Sequence, residues 1–69
     1  MPDERISEQI RSELARRGNP APNVDIMTVD GVVYLRGREP DAIKADGIVA
    51  VAHDTRGVVD VIDEVKREA

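Results

Sequence analysis

Residues 24–37 read Val24-Asp25-Ile26-Met27-Thr28-Val29-Asp30-Gly31-Val32-Val33-Tyr34-Leu35-Arg36-Gly37, two extended runs on either side of Asp-Gly. β-Branched residues favour strands. An Asp-Gly loop tolerates the positive φ that a type I′ turn demands at both of its positions. A two-residue turn leaves no freedom of register, so Val29 meets Val32, Thr28 meets Val33, Met27 meets Tyr34 and Ile26 meets Leu35. Directly paired residues share a face. One side of the hairpin therefore carries Val24, Ile26, Thr28, Val33 and Leu35, and the other carries Asp25, Met27, Val29, Val32, Tyr34 and Arg36. The first set is uncharged and is the expected core face. Asp30 and Gly31 are structural turn residues, and Gly37 closes the second run.

Upstream, Asp3 to Arg17 reads as an amphipathic helix with Ile6, Ile10 and Leu14 stacked at i+4 spacing. Asp3 suits the N-cap, Glu4 the first turn, and Arg16 and Arg17 the last turn before Gly18. Asn19-Pro20-Ala21-Pro22-Asn23 cannot continue it, because each proline removes a donor and pushes its predecessor toward extended geometry. Downstream, Glu39-Pro40-Asp41 opens a second helix that runs to about Thr55, with Ile48, Val51, Ala52 and Thr55 spaced for an inward stripe and Gly57 as its structural stop. Gly47 lies inside this helix; a lone interior glycine reads as a tolerated cost of roughly 1 kcal/mol rather than as a sign of close packing. Val58 to Val65 alternates as a third strand, which sets Val59, Val61 and Val65 against Val58, Asp60, Ile62 and Glu64. The order helix, strand, strand, helix, strand predicts an α+β fold, an αββαβ two-layer sandwich with two helices on one face of a three-stranded sheet. The middle strand is not fixed by this reading, and a right-handed crossover is expected if strands two and three run parallel.

Sixty-nine residues suffice for one domain over 1–69, near the lower size limit for independent folding. The chain has no cysteine and one aromatic residue, Tyr34, so Val, Ile, Leu and Ala must build the core. Fourteen acids against ten bases give a formal net charge of -4. That balance works against nucleic-acid binding and against simple electrostatic attachment to anionic lipid. Met-Pro-Asp-Glu-Arg lacks an apolar leader. Read as complete, the chain is expected to be cytoplasmic; read as an excised domain of an exported protein, periplasmic or envelope-bound.

Catalysis is not expected. Besides Tyr34 the hydroxyls are Ser7, Ser12, Thr28 and Thr55, the one imidazole is His53, and adjacent helical positions such as His53 and Asp54 point apart. No dinucleotide or P-loop glycine pattern is present, so neither a cofactor nor a small-molecule substrate is expected. Asp60, Asp63 and Glu64 alternate across a strand with no loop to wrap a cation, and they read as solvated charge.

Asp30-Gly31-Val32-Val33-Tyr34-Leu35-Arg36-Gly37, then Val51-Ala52, then Gly57-Val58 and Val61, with Ile6, Ile10 and Leu14 ahead of them, resembles the BON domain, named for bacterial osmotic-stress and nodulation proteins. The likeness covers nearly the whole chain. Thr55 departs from the usual aliphatic residue before Gly-Val, and Asp63 from a common Asn. The resemblance implies an αββαβ sandwich without catalytic residues, associated with phospholipid membranes or other envelope surfaces; one relative type, paired with a LysM module, is associated with potassium. It implies no particular binding residues, because the shared positions are structural.

The candidate binding surface is the outer sheet face: Met27, Val29, Val32, Tyr34 and Arg36, joined by Ile62. Strand propensity alone also places such residues there. Arg36 and Arg38 are possible contacts for a phosphate or carboxylate. Three functions stay open: a module that associates with phospholipid or envelope surfaces, a protein-interaction or self-association module docking through this face, and a regulatory small-ion sensor.

Overall fold

The computed structural model describes residues 2–67. Element order is α1 (Glu4–Arg16), β1 (Val24–Val29), β2 (Val32–Arg38), α2 (Ala42–Asp54) and β3 (Asp60–Lys66). The strands form one mixed sheet ordered β1-β2-β3, with β1 antiparallel and β3 parallel to the central β2. The fold is therefore α+β, in the order expected, and the sequence alone had left the middle strand undetermined.

Local chemistry sets each boundary. The Asp3 carboxylate accepts from the Arg5 and Ile6 amides at 3.1 and 3.3 Å, and Asp41 caps α2 in the same way through Ile43 and Lys44 at 2.9 and 3.2 Å. Between the first two strands, Asp30 and Gly31 have φ of 50° and 82°, the two positive values of a type I′ turn. The register matches expectation from Val24↔Gly37 to Val29↔Val32.

That register builds the core. Val24, Thr28, Val33 and Leu35 are buried on the inner face together with Ile10 and Leu14 of α1, Ala45, Ile48, Val51 and Ala52 of α2, and Val65 of β3. Ile6, Ile26, Val49, Val58 and Val61 pack around them. Among the described residues the one buried polar side chain on this face, Thr28, is matched by Ser7, whose Oγ lies 3.0 Å from Thr28 Oγ1. Ala21 is also buried, in the connector, where the Arg11 guanidinium donates to the carbonyls of Ala21 and Val24.

Three expectations are corrected. The third strand begins at Asp60, not Val58, and the two valines before it reverse roles: Val58 packs on the core while Val59 is 76% exposed. The two-residue alternation holds only where the strand pairs. Val58 lies ahead of that pairing and turns back, its amide donating to the Thr55 carbonyl at 3.2 Å. Thr55 is half-buried as the C-cap of α2, its hydroxyl donating to the Val51 carbonyl, and Ala45 completes the inward stripe. The second strand continues one residue past Gly37 because the Arg38 amide donates to the Asn23 carbonyl at 3.1 Å.

Candidate functional site

Register turns the outer face into a grid. Nearest the hairpin turn, Val29 pairs with Val32 and Val32 with Asp60; the next row is Met27, Tyr34 and Ile62, and the next Asp25, Arg36 and Glu64. Arg38 and Lys66 pair beyond them, both exposed. The face thus carries charge at both ends, Asp60 beside Val32 near the turn and the row of Asp25, Arg36 and Glu64 at the far end. Its middle row carries no charge, with Met27 48% and Ile62 37% exposed and Tyr34 half-buried between them.

All six candidate residues, Met27, Val29, Val32, Tyr34, Arg36 and Ile62, share this face. Arg36 is not a free cation: its Nε donates to Glu64 Oε1 at 2.7 Å across the β2–β3 pair. Both partners are exposed, so the ion pair fixes geometry more than it stabilises. The neighbourhood of Tyr34 and Ile62 could not be read from the sequence, because it depends on β3 running parallel beside β2 in this register.

The carboxylates of β3 are likewise engaged. Asp60 accepts from the Val61 amide at 2.8 Å, and Asp63 accepts from the Val65 amide at 3.0 Å and from Arg67 at 2.8 Å. Arg67 beside it holds the Asp63 carboxyl below the usual aspartate range. Among the described residues no group of three or more metal-ligating side chains converges. His53 is exposed in the last turn of α2.

A concavity lies elsewhere, between α1 and the end of α2, lined among others by Arg5, Ile6, Glu13, Val51, Arg56 and Gly57. Acids and arginines interleave along it, and Arg16 and Arg17 hold Glu13, lowering its pKa. Its lining mixes acids, arginines and apolar side chains, whereas the open sheet face sorts its chemistry by row. Two further exposed apolar residues, Ile43 at 84% and Val59, lie outside the grid.

The architecture is a small two-layer αββαβ sandwich with both helices on one side of the sheet and its other face open. The sequence profile of the BON domain matches residues 2–69, essentially the whole chain. The chain belongs to the BON domain family. No curated protein matches it.

Proposed function

We propose that this BON domain is a non-catalytic module that docks onto phospholipid surfaces through the outer face of its sheet. The observation that carries the reading is the uncharged row Met27–Tyr34–Ile62 on an uncovered face. Tyrosine suits an apolar–polar boundary, with its ring in the apolar layer and its hydroxyl in water. The exposed Arg38 and Lys66 stand beyond the charged row, where their stems could reach headgroup phosphates. Asp25, Asp60 and Glu64 share the face, and the chain's net charge is -4, so apolar contact rather than attraction to anionic lipid must drive docking.

Co-sedimentation with vesicles tests this. Wild type is expected to pellet with phosphatidylcholine vesicles, no more strongly when phosphatidylserine is added, and Tyr34→Asp is expected to stay in the supernatant. Absence of enrichment on every vesicle rejects the lipid reading.

One observation favours a second reading, docking onto a protein: the row Asp25–Arg36–Glu64 gives the same face a fixed pattern of charge, which selects partners by complementarity. A photo-crosslinker at position 34 should then give a discrete protein adduct in the source cell that is lost when the crosslinker sits at position 43. Adducts at both positions, or at neither, reject it.

A further inference from the structure

The two outer strands finish their free edges differently. Along β1, Pro2 bridges Val29, the Asp3 amide donates to the Thr28 carbonyl at 2.8 Å, and Arg11 takes the Val24 carbonyl. Among the described residues, no strand or bridge pairs with the far side of β3. Instead, β3 closes on itself: the Asp60 and Asp63 carboxylates take the Val61 and Val65 amides, and Arg67 donates to the Val65 carbonyl at 2.9 Å. Backbone groups of alternate strand residues point to the same side. Val61, Asp63 and Val65 therefore face the free edge.

The strand is also complementary to itself. Laid antiparallel on a second β3 about Asp63, all seven residues pair: Val61 faces Val65, Asp60 faces Lys66 and Ile62 faces Glu64. The first is an apolar pair beside the core and the second joins opposite charges, both favourable across strands. Asp63 alone is set against its own kind, two carboxylates meeting on the two-fold axis, which opposes pairing.

We propose that the β3 edge is a latent self-pairing edge, to which a second copy of this chain adds antiparallel about Asp63 to make a continuous six-stranded sheet, and that Asp63 holds it closed. The register follows from the backbone: a one-residue slip turns the facing amides away, and a two-residue slip loses the Asp60–Lys66 contact. The contact is isologous, and the covered edge of β1 stops growth at two copies. Nothing in it depends on what the outer face binds.

Sedimentation velocity with circular dichroism tests this. Wild type is expected to sediment as a monomer at high micromolar concentration. Asp63→Thr, which removes the central charge and leaves a weaker acceptor for the Val65 amide, is expected to dimerise at least tenfold more tightly. Adding Lys66→Asp should restore the monomer, because Asp60 then faces an acid. Asp63→Asn, which keeps size and an acceptor oxygen, should shift in the same direction by less and decides the matter if Asp63→Thr does not fold. A folded Asp63→Thr that stays monomeric, a wild type already dimeric through β3, or a doubly substituted chain that dimerises as tightly as Asp63→Thr overturns the proposal.

Discussion

A Cβ on Gly37 would lie 2.1 Å from the Asn23 carbonyl oxygen and 2.9 Å from Val24 Cα, both backbone atoms, and φ there is +135°. Neither the contact nor the dihedral can relax without separating β1 from β2. Gly37→Ala is expected to cost about 3 kcal/mol or more, read from the urea midpoint. Gly47 is the opposite case: an added Cβ meets nothing closer than the Asn19 side-chain nitrogen at 3.5 Å, an ordinary contact. Gly47→Ala should therefore stabilise the chain by about 0.5–1 kcal/mol, because the glycine only adds disorder to the unfolded state. A loss of stability there would mean that the helix packs more closely than the structure shows.

Asp63 carries a pH dependence at the same scale. Its folded pKa is depressed, first by the hydrogen bond from Arg67 and then by the Val65 amide. The unfolded chain consequently holds more protons around pH 3–4, and stability rises with pH through that window. The contribution is fully present above the unfolded aspartate pKa of about 3.9 and is lost as pH falls through the lower folded value. Arg67→Ala should flatten part of this acid limb in unfolding curves between about pH 2 and 5, and an unchanged limb would remove Asp63 as a source.

Between elements, α1 and β1 are tied in part by a half-buried hydroxyl pair, Ser7 with Thr28. Thr28→Val keeps the shape and strands the Ser7 hydroxyl, so it should cost about 1 kcal/mol. A double-mutant cycle with Ser7→Ala should return most of that as coupling; additive single effects would show the pair to be incidental. Elements were also where sequence reasoning succeeded or stopped. The Asp30-Gly31 turn allows only one pairing, so both faces of β1 and β2 were legible down to the residue. Val58 and Val59 came out inverted because periodicity cannot show where pairing begins. Strand order was not legible, since a valine-rich run fits beside either strand of the hairpin, and with it went the placing of Ile62 beside Tyr34 and of Glu64 beside Arg36.

Taken whole, the molecule is acidic, with one aromatic side chain and exposed apolar residues both on the open sheet face, at Met27 and Ile62, and away from it, at Ile43 and Val59. No nucleic-acid binding is expected at physiological salt, because little counterion release or base stacking is on offer; a gel shift at micromolar protein would contradict this. Binding function was legible in the sequence only as a class. The residues that would dock a ligand, Met27, Val29, Val32 and Tyr34, are also ordinary strand formers, and only their arrangement with Ile62 in rows separates one use from the other.

Whether Met27, Tyr34 and Ile62 truly share the wet side of the sheet can be measured in one experiment, methyl and aromatic proton relaxation with a soluble paramagnetic agent. Strong relaxation is expected at Met27 and Ile62, and weak relaxation at Ile10, Leu35 and Ile48. Strong relaxation at Leu35 with protection of Met27 would exchange the two faces and contradict the structure and every function placed on it.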